Sequence, residues 1–271
     1  MNRTAQLGRV LLAGTTALAA VLLGAPNAQA AEGDISFSNI VFNEGEPIVV
    51  GTTHPVEVPL TYTVRSTVKL DFWDINAYRG TLGTNSERAL VNSWIRWGCS
   101  TTVSSGYTYN RCEETVSVDP RWISTQTAND DLVNSDATVW KTFGLGGRYE
   151  KGYDQDTTSA TVTLQRNSRV QSHNASPEPV AEGGTITVKG TVQRANWTEH
   201  RYDNYGGRLV SLQFKPAGSS AYTTVKKVTA NSSGVLRTTV KATEDGTWRW
   251  KYYGNTTTGA STSSGDYVDV Q

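Results

Sequence analysis

The sequence predicts an all-β protein, and three observations carry that expectation. Apolar residues alternate over short runs, as in Val56, Val58, Leu60, Tyr62 and Val64, instead of recurring every three or four positions. Clusters of Gly, Asn, Asp and Ser separate those runs. Long helical periodicity is missing beyond the first thirty residues.

Those thirty residues read as an export leader, residues 1–30. Arg3 and Arg9 make a positive start, and an apolar run extends from Val10 to Gly24. That run is shorter than the roughly 20 residues a membrane span needs. Ala28-Gln29-Ala30 is a small-x-small cleavage signature before Ala31. The arginines are not adjacent, no cysteine lies near the cleavage site, and GDYVDVQ carries no hydrophobic tail. The expectation is general secretion and release outside the cell. Losing Arg3 and Arg9 leaves 23 basic against 25 acidic residues, a net charge of −2. Nucleic-acid binding needs a basic patch, and membrane adsorption a basic amphipathic helix. The total is near neutral, and neither a Lys/Arg-rich block nor such a helix appears in the sequence, so neither partner is expected.

The strands follow in order. In the run from Val56 to Val64, Pro59 falls on the polar face and marks an edge or interrupted strand. Val68, Leu70 and Phe72 alternate again. Cys99 and Cys112 flank Ser105-Gly106. A two-residue turn there makes opposed residues sum to 211, which places the two cysteines opposite each other on a non-hydrogen-bonded pair. Cα atoms are closest at such pairs, so a disulfide is expected. Gly144-Leu145-Gly146-Gly147 lacks the Lys-Ser/Thr of a phosphate loop and reads as a turn or bulge. Ile186, Val188 and Val192 share a face, and Asn231 to Gly234 reads as a hairpin turn between Val228 and Val235. Trp248, Trp250 and Tyr252 alternate with Arg249 and Lys251.

Three anchors recur in the same order. EGEPIVVG (44–51) resembles EGGTITVKG (182–190), VKLDF (68–72) resembles VSLQF (210–214), and DATVW (136–140) resembles DGTW (245–248). Short strands at this spacing fit two tandem immunoglobulin-like β-sandwiches, residues 31–168 and 169–271. The polar, Pro-bearing segment 165–179 is the expected boundary. The second anchor lies 68 residues before the third in the first copy and 35 in the second. The first copy therefore carries about 33 extra residues, among them the cysteine hairpin, Trp94, Trp97 and Trp122.

Chemistry-bearing groups are sparse. Only His54, His173 and His200 are available, and no HExxH, GxSxG or Cys/His arrangement appears, so an enzyme is not expected. Asn129, Asp130, Asp131, Asn134 and Asp136 form an oxygen-rich stretch, with Asp154 and Asp156 further on. Asp130, Asp131 and Asp136 are candidate calcium ligands. Asp and Asn also gather in turns to bond their own backbone, and no EF-hand pattern is present. Trp197, His200, Tyr202 and Tyr205 crowd RANWTEHRYDNYGG as a candidate ligand-binding loop suited to sugar rings. In the opposing reading Trp197 is a core tryptophan and the tyrosines pack with their hydroxyls outward. The expectation is a buried Trp197, with His200, Tyr202 and Tyr205 exposed and available to a ligand.

NASPEPV (174–180), GGTITVKG, RANW, YGG, VSLQF, TVKA, DGTWRW and GDYVDV together resemble a C-terminal module of secreted actinobacterial proteins, over roughly residues 172–271. GDISFSNIVFNEGEPIVVG is more loosely similar to its usual partner module. That family is essentially uncharacterised, and its members are often labelled hypothetical or calcium-binding. The resemblance implies an extracellular immunoglobulin-like protein with no catalytic motif to transfer. The expected function is non-enzymatic extracellular binding or structural interaction, with a polysaccharide or a protein as partner. A carbohydrate-binding accessory protein is the first alternative and an extracellular hydrolase the second.

Overall fold

The computed structural model describes residues 34–90, 98–125, 129–149 and 151–271. The leader, Trp94 and Trp97 lie outside the described residues. No helix among those described is long and apolar enough to cross a membrane.

The first half holds β1 (Ile35–Phe42), β2 (Ile48–Val50), β3 (Val56–Ser66), β4 (Phe72–Arg79), β5 (Arg88–Leu90), β6 (Ser100–Ser104), β7 (Tyr107–Val118), β8 (Ile123–Thr125), β9 (Asn129–Asp130), β10 (Val139–Arg148) and β11 (Gly152–Arg166). The second half holds β12 (Ser168–Ser176), β13 (Gly184–Asn196), β14 (Arg201–Asn204), β15 (Leu209–Pro216), β16 (Thr223–Thr229), β17 (Val235–Ala242), β18 (Gly246–Tyr252), β19 (Ser261–Thr262) and β20 (Asp266–Val268).

Each half is a sandwich of two sheets. In the first, β1-β3-β7-β6 faces β2-β11-β10-β4-β5-β8-β9. In the second, β12-β13-β14, with β17 also on β13, faces β16-β15-β18-β19, with β20 also on β18. Alternation places the cores. Val58, Leu60, Tyr62 and Val64 of β3 are buried, and so are Trp248, Trp250 and Tyr252 of β18, while the residues between them point away. Pro59 pairs with Thr115 where β1 has already left the sheet at Phe42↔Leu60, so β3 is locally an edge there, as its proline suggested. The protein is all-β, two tandem immunoglobulin-like sandwiches, the first with a disulfide-bridged hairpin.

That hairpin joins β6 to β7 with partners summing to 211, from Ser104↔Tyr107 to Ser100↔Arg111. Ser105 and Gly106 both have positive φ, 51° and 80°, as a tight two-residue hairpin requires. Cys99 and Cys112 are disulfide-bonded, with Cα atoms 4.0 Å apart. Closing a loop of this size stabilises by about 3 kcal/mol. β6, β8 and β9 are the additions to the first sandwich that the longer spacing foreshadowed.

The chain passes from β11, ending at Arg166, to β12, beginning at Ser168, with only Asn167 between them, inside the 165–179 segment. Two local expectations need correcting, at Gly144–Gly147 and at Asn231–Gly234. Gly144, Gly146 and Gly147 are inside β10, not in a turn. A Cβ on Gly144 would come 2.2 Å from the Phe37 ring of β1, so the glycine makes room for the facing sheet. The turn at Asn231–Gly234 exists, with Gly234 N–H donating to Asn231 O (2.9 Å), but it carries the chain between sheets. β16 pairs with β15, whereas β17 pairs with β13.

The repeat anchors also align only in part. Trp140 on β10 and Trp248 on β18 occupy equivalent central strands. VSLQF lies within β15, whereas VKLDF precedes β4 and contributes only Phe72 to it. EGEPIVVG ends in β2, which pairs parallel with β11; EGGTITVKG opens β13, whose counterpart is β3. The true equivalent of β2 is the parallel bridge Val180↔Val270.

Candidate functional site

The acidic stretch and the aromatic segment, two separate candidates in the sequence, face each other across one junction between the sandwiches. Trp197 follows β13 of the second sandwich, yet it is fully buried in the core of the first, beside Ile48, Val50, Leu132 and Trp140. Its indole Nε1–H donates to Val50 O (3.2 Å), and its backbone N–H donates to Asn134 Oδ1 (3.0 Å). The Asn134 amide donates in turn to Asn196 Oδ1 (2.8 Å). One asparagine side chain thus bonds two consecutive residues of the other sandwich.

The loop bearing Asn134 is held from below by a buried charge. Asp136 has no exposed surface. Arg79 at the end of β4 donates to its Oδ1 at 2.5 Å, and Arg88 of β5 to its Oδ2 at 2.7 Å. The Val133 N–H adds a third donor at 2.8 Å. An isolated buried carboxylate is very costly, whereas one paired with two guanidiniums and a backbone donor is tolerated. Arg88 also donates to Asp131 O (2.6 Å) and Asp130 Oδ2 (3.3 Å). Asp131 Oδ2 meets His200 Nε2 at 2.9 Å, across the junction.

The candidate calcium ligands Asp130, Asp131 and Asp136 are engaged by groups of the protein: Arg88 pairs with Asp130 and Asp136, and the Asp131 carboxylate meets His200. These pairings order the platform on which the second sandwich sits.

Trp197 is a core residue, as the opposing reading had it, whereas His200 and Tyr202 are half-buried and Tyr205 buried, not exposed as expected. Tyr202 is half-buried against the first core, its ring under Arg169 at 3.5 Å. His200 has positive φ (50°), turning the chain so that its ring reaches Asp131. Tyr205 is buried in the second core. Its hydroxyl accepts from Asn255 Nδ2 (3.0 Å) and Arg194 (3.2 Å) and lies 3.3 Å from Thr258 Oγ1. Burial alone would push this phenol up. The hydrogen bonds from Thr258 and Asn255 and the Arg194 guanidinium outweigh it and bring it down to about 8.

Backbone bonds complete the junction. Arg166 N–H donates to Thr257 O and Gly259 N–H donates to Arg166 O, both at 3.0 Å. Asn167 N–H donates to Val50 O (2.9 Å) and Ala195 N–H to Asn167 O (2.8 Å). The Arg166 side chain donates to Ala195 O, and burial, then the nearby Arg194, lower its pKa to about 10. The sequence pattern did not single out Arg79, Arg88 or Arg166, and pointed to Asn134 only as part of the oxygen-rich stretch. Their partners lie 29 to 63 residues away, beyond any local pattern.

No family model matches the chain, and no curated protein matches it. Among solved structures it is similar to the ICAM-5 D1–D4 ectodomain fragment, at 10% identity over 88% of this chain and 51% of that one, TM-score 0.27. It is also similar to the full ectodomain of mouse nectin-like molecule 4 (13%, 89% and 64%, TM-score 0.24) and to the tandem Ig repeats of Dlar (9%, 89% and 99%, TM-score 0.22). The chain spans about half the length of the ICAM-5 fragment and 64% of the nectin-like ectodomain. These likenesses concern fold alone, and the sandwich assignment rests on the strand pairing above.

Proposed function

We propose that the chain is a secreted, non-enzymatic protein that binds or spaces other components outside the cell as one locked two-sandwich unit. The observation that carries this reading is the junction. Asp136, Asp131, His200 and Arg88, the reactive side chains gathered there, are engaged with one another. Their chemistry holds two sandwiches together and leaves no nucleophile and base aimed at a common point, the arrangement that acid–base or nucleophilic catalysis needs. The Cys99–Cys112 disulfide suits an oxidising compartment, and the leader-like residues 1–30 suit export to it.

Expression with its own leader tests the reading. The medium should contain a chain beginning at Ala31 that is inert toward chromogenic glycoside and peptide substrates. Retention of the chain inside the cell, or turnover of any substrate in the panel, would refute it.

A further inference from the structure

The outer face of the β16-β15-β18 sheet is a surface of cations stacked on tyrosines, and we infer that it binds a linear anionic polysaccharide. This rests on the extracellular binding reading and gives it a ligand class. Trp248, Trp250 and Tyr252 fill the core side of β18, so Arg249 and Lys251 project outward. Pairing sets the rows. Lys227, Ser211 and Lys251 lie side by side across three strands; Thr224, Gln213 and Arg249 form the next row, and Lys215, Thr247 and Tyr267 the one beyond. Rows on one face are about 7 Å apart.

The face is ordered before any ligand arrives. Gln213 is 5% exposed although it belongs to the outer layer, because longer side chains lie over it. Its Oε1 accepts from Arg249 Nε (2.9 Å), and its amide nitrogen donates to Tyr253 Oη (3.4 Å). The Arg249 guanidinium stacks on the Tyr222 ring at 3.5 Å, Lys215 Nζ is 5.4 Å from the same ring, and Lys251 Nζ is 4.8 Å from the Tyr253 ring. Rings position these charges without neutralising them. Among the described residues, no ion pair involves Lys215, Lys227, Arg249 or Lys251.

Charge is also divided between the sandwiches. Residues 31–167 hold eleven basic and seventeen acidic side chains, a net −6; residues 168–271 hold twelve and eight, a net +4. The near-neutral total conceals a basic second sandwich. The basic side chains on its outer sheet face stand in successive rows, which suits an extended chain held by repeated contacts. Tyr253, 59% exposed, offers a ring face to sugar C–H groups beside Lys251, which takes the anionic substituents. Three of the four cations are lysines, which protein–protein interface cores disfavour, so a hydrated polyanion fits better than an acidic protein.

The test uses the mature chain with alginate, dextran sulfate and uncharged dextran in affinity electrophoresis. Alginate, dextran sulfate or both should retard it, more weakly as salt rises, and dextran should not. Arg249→Ala with Lys251→Ala should weaken binding by about tenfold or more, the size expected for charge-assisted contacts. Arg237→Ala with Lys241→Ala removes the same charge from β17 on the opposite sheet and should change affinity less than about twofold. Tyr253→Ala should weaken binding with no change of charge.

An inert wild-type chain, or equal losses in the two double variants, would overturn the assignment. So would self-association in sedimentation that Arg249→Ala with Lys251→Ala abolishes, since the basic face would then be meeting the acidic sandwich of another copy. Secretion and lack of turnover are measured separately, so failure here leaves the parent reading standing.

Discussion

The two sandwiches differ in how each completes its core. The second is built wholly from its own residues, from Val170 to Val268. The first is not: its buried cluster includes Ala195 and Trp197, which belong to the chain after the crossover. A core that takes its tryptophan from a neighbour cannot be fully packed without that neighbour. The tandem arrangement is therefore asymmetric, with the second sandwich acting partly as a plug for the first.

Removing the plug tests this asymmetry most strongly. Trp197→Ala should destabilise the first sandwich by about 3–5 kcal/mol, the usual cost of truncating a buried tryptophan. The second sandwich should be nearly unaffected. Urea unfolding should then separate into two transitions, the earlier reporting loss of the first sandwich. A single transition at an unchanged midpoint would show that the indole contributes nothing to the first core. Residues 168–271 expressed alone should still unfold cooperatively.

The junction was legible in its parts and illegible as a whole, for a physical reason. Local rules reach only as far as local partners. The register of Cys99 against Cys112 follows from one tight turn. The buried faces of β3 and β18 follow from alternation over a few residues. By contrast, Trp197 meets Asn134 and Val50 from 63 and 147 positions away. A junction between modules and a ligand site also use the same residues, namely tryptophan, tyrosine, aspartate and arginine. Composition flagged RANWTEHRYDNYGG and the acidic stretch without showing that each is the other's partner. The repeat anchors slipped for a related reason. An EG turn before an alternating run suits many strand starts, and tertiary pairing decides whether the run becomes β2 or β13.

A charge change beneath the joint probes the same asymmetry from the first sandwich's side. Asp136→Asn keeps the shape but leaves Arg79 and Arg88 without their shared anion. Breaking a buried pair from one side costs about 3–5 kcal/mol, and the part-exposed Arg79 places this case at the low end. The loss should fall mainly on the first sandwich, whose β4 and β5 carry the two arginines. If melting of the second sandwich moved equally, the loop carrying Asp136 would be supporting both, and the joint would be a shared core.

The smallest effect, a single proton, tests whether the second sandwich is as self-sufficient as its core implies. Tyr205 lies beside the joint, yet Asn255, Thr258, Arg194 and Tyr252, which set its hydroxyl's environment, all belong to the second sandwich. One of the twelve tyrosines should therefore ionise near pH 8 in the absorbance at 295 nm, and Tyr205→Phe should remove that step. The sign for stability follows from the shift. The folded value of about 8 lies below the unfolded value near 10, so the fold favours the phenolate. Its stabilisation is present above pH 10 and is lost as pH falls through 8. Tyr252 is shifted the other way, by burial first and then by the neighbouring Tyr205. Its contribution is complete below pH 10 and is lost above it. Stability of the second sandwich should consequently rise between pH 8 and 10 and then turn over. In the isolated 168–271 fragment the step near pH 8 should persist, because Thr258, Asn255, Arg194 and Tyr252 all remain, and the lost Arg166 guanidinium should move it only slightly upward. A step displaced toward 10 in the fragment would mean that the first sandwich shapes the interior of the second, and that dependence across the joint runs both ways.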